Sequence, residues 1–113
     1  IQHIALYTED IYKTVDILKV SDVPLQNTIG AYYDLIDKRI GKHNESIEEL
    51  RKRNILIDGS MDEGILLQIF TDTVIGPIFF EIIQRKGNNG FGEGNFKALF
   101  ESIELDQIRR GII

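Results

Sequence analysis

The sequence predicts an α+β fold: a βαβββ unit interrupted by a helical insertion and closed by a C-terminal helix. Three observations carry this expectation. Short apolar or alternating segments recur at residues 1–8, 55–58, 65–71 and 78–84, the length of strands rather than helices. Between the first and second of them lie stretches with apolar residues at helical spacing, one with its acids early and its bases late. After the last segment, residues 87–94 hold four glycines and must turn sharply, and Phe96, Leu99, Phe100, Ile103 and Gln107 then follow at i, i+3, i+4, i+7 and i+11.

Taken in order, residues 1–8 set Ile1, Ile4 and Leu6 among His3, Ala5 and Tyr7 and read as the first strand. Glu9 and Asp10 favour a helix start, and Ile11, Val15, Ile17 and Leu18 form a stripe as far as Val20, where Ser21 and Asp22 break it. Residues 23–26 suit a short strand that Pro24 confines to an edge or a strand end, and residues 27–31 a turn. A second helix is expected over residues 32–40 with Gly41 as its C-cap, and a third over residues 44–53. Residues 59–64 and 72–76 join the three later strands, and Asn95 is expected to cap the final helix.

At 113 residues the chain is sized for one domain. A net charge of −5 with no basic run argues against nucleic acid and against an acidic membrane surface as partners. The absence of cysteine excludes disulfides, thiolate metal sites and thiol catalysis together. No apolar stretch approaches the ~18 residues of a membrane span and no signal peptide is visible, so a cytoplasmic setting is expected. The chain opens directly in strand-like sequence, as if cut from a longer protein.

The chemical anomaly is Glu81, flanked by Ile78, Phe79, Phe80, Ile82 and Ile83 in a segment apolar on both faces. An unpaired ion in such surroundings costs several kcal/mol, so Glu81 must meet a cation, hold a proton or ligate a metal. Alternation puts Phe79, Glu81 and Ile83 on one face, and Leu66, Gln68 and Phe70 on one face of the preceding strand. Hairpin register could bring Gln68 and Phe70 beside Phe79 and Glu81. In the first strand His3 offers an imidazole, while its neighbour Gln2 should point the other way if the pleat is regular. Imidazole plus carboxylate without thiolate suits non-haem iron(II), whose usual set is two histidines and one carboxylate. The other histidine, His43, lies in a polar context and is expected in solvent, so one ligand is lacking.

Gln2-His3-Ile4-Ala5-Leu6, the segment 32–35, residues 66–70 and above all Phe79-Phe80-Glu81-Ile82-Ile83-Gln84-Arg85 followed by Gly90-Phe91-Gly92-Glu93-Gly94-Asn95-Phe96 resemble the C-terminal part of the 4-hydroxyphenylpyruvate dioxygenase family over nearly the whole chain. Hydroxymandelate synthase, a close relative, is similar too. The resemblance implies a vicinal-oxygen-chelate fold in which βαβββ modules pair into half-open barrels around iron. It implies an Fe(II)-dependent oxidative decarboxylation of 4-hydroxyphenylpyruvate, an aromatic 2-oxo acid, with O2 to homogentisate and CO2 in tyrosine breakdown. Residue by residue, it makes His3 and Glu81 metal ligands, with the first histidine ligand belonging to a preceding module. Gln68 would lie at the keto-acid end of the substrate and Gln2 in its pocket. Phe70 and Phe96 would sandwich the aromatic ring, with Phe79, Phe91, Asn95 and Leu99 completing the pocket.

On this reading residues 1–113 are one C-terminal module of a longer dioxygenase, inactive alone and part of a homo-oligomer. Two other readings stay open: a non-catalytic module of the same fold that pairs its open sheet with a second copy, or a glyoxalase-like enzyme, which the turn at residues 91–96 disfavours. Phe100 and Ile103 are expected in the core in any case. Because ligation needs a neutral imidazole and an ionised carboxylate, metal affinity should fall on acidification.

Overall fold

Period-two segments rich in Ile, Leu and Phe form one mixed sheet of four strands. The structure, a computed structural model, describes residues 2–60, 62–73, 77–90 and 92–111, with Gln2 described by its backbone alone. The strands are β1 (Gln2–Tyr7), β2 (Leu56–Ser60), β3 (Gly64–Phe70) and β4 (Ile78–Lys86), in the order β1-β4-β3-β2. β1 runs parallel to β4, and the other neighbours are antiparallel. The sheet is open, with β1 and β2 at its edges.

Cross-strand register separates the two faces. Ile57 pairs with Leu67 and Ile69 with Ile82, and all four are buried in the apolar core. Residues from α1 (Ile11–Val20), α2 (Gly30–Asp34), α3 (Ile36–Ile40) and α4 (Ile47–Arg53) complete that core, notably Ile11, Val15, Tyr32, Tyr33, Ile36 and Leu50. Each such side chain contributes ~1.5–3 kcal/mol by leaving water. The opposite face carries His3 and Ala5 on β1, Phe79 and Glu81 on β4, Gln68 and Phe70 on β3, and Asp58 on β2.

Local signals explain the element ends. Asp10 accepts the amide of Lys13 and caps α1, Ser46 accepts that of Glu49 and caps α4, and Gly41 at φ 81° ends α3. The expected helix over residues 32–40 is instead two short helices that meet at Leu35, the C-cap of one and the N-cap of the next (φ −99°, ψ −4°). The proposed strand at residues 23–26 amounts to a single bridge from Leu25 to Thr71.

The last helix, α5 (Glu93–Arg109), departs most from expectation. Gly92, not Asn95, is its N-cap, and Asn95 lies buried in its first turn. The seated row is Asn95, Ala98 and Ser102, small side chains that let α5 approach α2 closely. Phe100 and Ile103, expected in the core, are 64% and 43% exposed. Apolar spacing located the helix but not the face this chain covers.

Candidate functional site

Parallel pairing sets His3 opposite Phe79 and Ala5 opposite Glu81. The small Ala5 leaves the space beside Glu81 to the imidazole two residues earlier, and His3 Nε2 lies 3.4 Å from Glu81 Oε1. The carboxylate side chain is 9% exposed and the imidazole 52%, so the pair sits at the rim of a buried acid. Burial pushes the Glu81 carboxyl up, and His3, the Gln68 hydrogen bond and Arg85 oppose that shift. The His3 ring stacks on Phe79 (centroids 5.6 Å apart, planes at 19°), and Phe79 meets Phe70 edge to face at 5.9 Å.

The far side of Glu81 is held by an amide. Gln68 Nε2 donates to Glu81 Oε2 at 2.8 Å, and Asn95 Nδ2 donates to Gln68 Oε1 at 2.6 Å. Gly92 and Gly94 make that approach possible. A Cβ at Gly92, whose φ is 76°, would run into the Gln68 amide, and one at Gly94 into the Asp58 carboxylate. Arg85 Nη1 donates to the carbonyls of Asn88 and Gly90 and so pins the preceding turn.

The donor set can be tested against a metal by distance. Bonds of about 2.0–2.2 Å from nitrogen and oxygen put two neighbouring ligands of an octahedral ion about 3 Å apart, close to the His3–Glu81 separation. The two atoms therefore fit one ion. No group of three histidine, cysteine, aspartate or glutamate side chains that could hold a metal occurs among the described residues, so the pair is an incomplete set.

Of the residues singled out in the sequence, His3, Glu81, Gln68, Phe70, Phe79 and Asn95 come together on this face. Leu99 is half-buried against the core. Phe96 is 73% exposed and makes no ring contact with Phe70 or Phe79 among the described residues. The Gln2 side chain and Phe91 lie outside the described residues. His43 corrects its expectation: its side chain is only 4% exposed, with Nε2 3.1 Å from Asp37 and Nδ1 accepting the amide of Glu45. Three further residues join the site that the sequence did not suggest, Tyr32, Arg39 and Asp58. They are far from it in sequence, and each has an ordinary local reading as core tyrosine, helix-end base or strand acid.

No protein-family model matches the chain. It is 68% identical over its whole length to "4-hydroxyphenylpyruvate dioxygenase" of Pseudomonas aeruginosa, covering 32% of that protein. It is likewise 63% identical to "Hemolysin VllY" of Vibrio vulnificus, covering 32% of it, and 45% identical over 98% of its length to a 4-hydroxyphenylpyruvate dioxygenase of Neurospora crassa, covering 29%. The chain thus spans about a third of the length of the curated relatives it matches. Among solved structures, a mutant 4-hydroxymandelate synthase from Streptomyces coelicolor superposes with a TM-score of 0.74 at 42% identity, over 94% of this chain and 30% of that one. A xylose isomerase-like TIM barrel/4-hydroxyphenylpyruvate dioxygenase fusion protein superposes at 0.77 and 34% identity, over 91% and 17%. The open four-stranded sheet with its helices is a module of the vicinal-oxygen-chelate type.

Proposed function

Because the chain belongs to the 4-hydroxyphenylpyruvate dioxygenase family, as a module about a third the length of its relatives, we propose that the full-length protein oxidatively decarboxylates and hydroxylates 4-hydroxyphenylpyruvate to homogentisate, a cytoplasmic step of tyrosine breakdown. The overall change is balanced: one O2 and one 2-oxo acid give one homogentisate and one CO2. This chain, the C-terminal module, supplies His3 and Glu81 as two ligands to iron(II), and the preceding module supplies the third. Bound iron(II) would supply the Lewis acidity and the redox activity needed to couple the 2-oxo acid to O2.

The observation that carries this reading is the 3.4 Å approach of His3 Nε2 to Glu81 Oε1 on one face of the sheet, in a chain with no thiolate to compete. The remaining residues bind and orient. Phe79 fixes the imidazole plane by stacking, and with Phe70 it offers an apolar wall to the substrate's phenol ring. Gln68 holds the carboxylate on its far oxygen and faces the keto-acid end of the substrate. Gln2, Phe91, Asn95, Phe96 and Leu99 complete the pocket, with the glycine turn and α5 excluding water above it.

The test uses the full-length protein. His3→Ala and Glu81→Gln each abolish iron(II) retention and substrate-dependent O2 uptake, while the fold survives; retention of iron by Glu81→Gln overturns the assignment. The structural likeness to 4-hydroxymandelate synthase favours a second reading, the same site making a hydroxymandelate. Chromatography of the product decides between them. Homo-oligomerisation of the full-length protein completes the proposal, and sedimentation reads it directly.

A further inference from the structure

We infer that Arg39, through Tyr32 and Asn95, is a positioning residue that sets the direction of a hydrogen-bond chain ending on Glu81, and so fixes which atom of Gln68 faces that carboxylate. The inference rests on the metal reading of Glu81 above.

The chain runs around the free edge of β2. Arg39 Nη2 donates to the Ile57 carbonyl at 2.7 Å, to the Tyr32 hydroxyl at 3.0 Å and, more weakly, to Asn95 Oδ1 at 3.4 Å. The Tyr32 hydroxyl accepts the Ile57 amide at 2.9 Å and lies 2.9 Å from the Ile57 carbonyl, an acceptor that Arg39 already serves. Its single proton therefore goes to Asn95 Oδ1, 2.6 Å away. Burial pushes the Tyr32 hydroxyl up to about 12, against the pull of Arg39, so it keeps that proton at neutral pH.

Direction follows from chemistry. An arginine has only donors and an ionised carboxylate only acceptors, whereas a primary amide has one end of each kind. With Arg39 and Tyr32 both donating toward position 95, the Asn95 oxygen must face them and its NH2 must face Gln68. The Gln68 oxygen then takes that NH2, and the Gln68 NH2 is left for Glu81, the order found at 2.6 and 2.8 Å. Reversing either amide would set oxygen against oxygen at one end. Arg39 also acts on the backbone beside the chain: its Nη1 lies 3.3 Å from Asp58 Oδ1, and Asp58 Oδ2 accepts the Gly94 amide at 2.8 Å, which fixes the first turn of α5 where Asn95 sits. Arg39 Nε is buried with no partner among the described residues, a cost that an apolar residue at this place would not carry. A guanidinium kept here despite that cost suits a role beyond packing.

The test is made on the full-length apoprotein, titrated with cobalt(II) alone, then on the iron(II) enzyme with 4-hydroxyphenylpyruvate. Arg39→Met weakens cobalt binding about tenfold and lowers kcat more than it raises KM; this is the low end of the range for a residue bonded directly to a ligand, because Arg39 acts on Glu81 through Asn95 and Gln68. Arg39→Lys, still only a donor, restores most of the affinity. Asn95→Asp has nearly the native shape but no N–H for Gln68, and it weakens cobalt binding similarly. Cobalt affinity of Asn95→Asp and of Arg39→Met within twofold of the native protein overturns the inference. Should Arg39→Met fail to fold, Asn95→Asp decides alone. A merely structural Arg39 would instead lower Tm in both Arg39 variants and leave cobalt affinity in place. Loss of metal from Glu81→Gln with native affinity in Asn95→Asp refutes this inference only, whereas metal retained by Glu81→Gln refutes the reading beneath it.

Discussion

An acid among isoleucines and phenylalanines is tolerated only where its oxygens have partners, and Glu81 has His3 on one oxygen and Gln68 on the other. That Glu81 is unusual was legible from its neighbours alone, and strand alternation paired Phe79 with Glu81 and Gln68 with Phe70 within their strands, while the register that joins the two faces came from the structure. The route from Arg39 to Glu81 was not legible, because residues 32, 39 and 58 are joined to Gln68 and Asn95 only by tertiary packing and each of the three looks unremarkable in its own segment. Phe79 offers a test at this scale. Phe79→Leu keeps apolar volume but loses both intramolecular ring contacts, each worth about 0.5–1.5 kcal/mol, so Tm should fall by about a few degrees, and loss of a comparable ring contact with the substrate should raise KM for 4-hydroxyphenylpyruvate roughly two- to tenfold. An unchanged KM in steady-state kinetics would take Phe79 out of the pocket wall.

At the scale of elements, the strands and the glycine turn were readable because period-two patterning and clustered glycine are local signals. The seat of α5 was not, since helix periodicity assumes that the apolar stripe faces the chain's own core. Here Ala98 and Ser102 make the contact and Phe96 and Phe100 stand exposed. The turn's glycines have separate reasons to be glycine. Gly92 needs both a left-handed φ and room for Gln68, while Gly94 needs room for Asp58. Alanine at either position forces a side chain or the first turn of α5 to move, costing ~1–3 kcal/mol. Gly92→Ala should in addition weaken metal binding, because the displaced group is the amide on Glu81. Thermal melts and cobalt titration of the two variants separate these effects.

For the whole molecule, charge ties the helical layer together. Asp34 at the end of α2 accepts Arg109 of α5 at 2.7 Å and Arg51 of α4 at 3.1 Å. Those two guanidiniums hold its carboxyl below the usual carboxylate range. A carboxyl whose folded value is depressed stabilises the fold above its unfolded value and loses that contribution as pH falls through the folded one. The Tm difference between the native protein and Asp34→Asn, about a few degrees at most for a half-exposed pair, should be full above about pH 4 and shrink progressively below it, as pH falls through the depressed folded value. A gap unchanged at pH 2 would show that the pair contributes nothing.

The parallel register of β1 on β4 brings a group from the third residue to one at the eighty-first, with every helix of the insertion and both other strands lying between them in the chain. Neighbouring parallel strands cannot be linked by a tight hairpin, so neither half of the His3–Glu81 pair can be assembled early from local sequence. A cation gripped by both would act as a removable staple across the module, adding stability in step with the logarithm of its free concentration and drawing the unfolding of distant segments into one event.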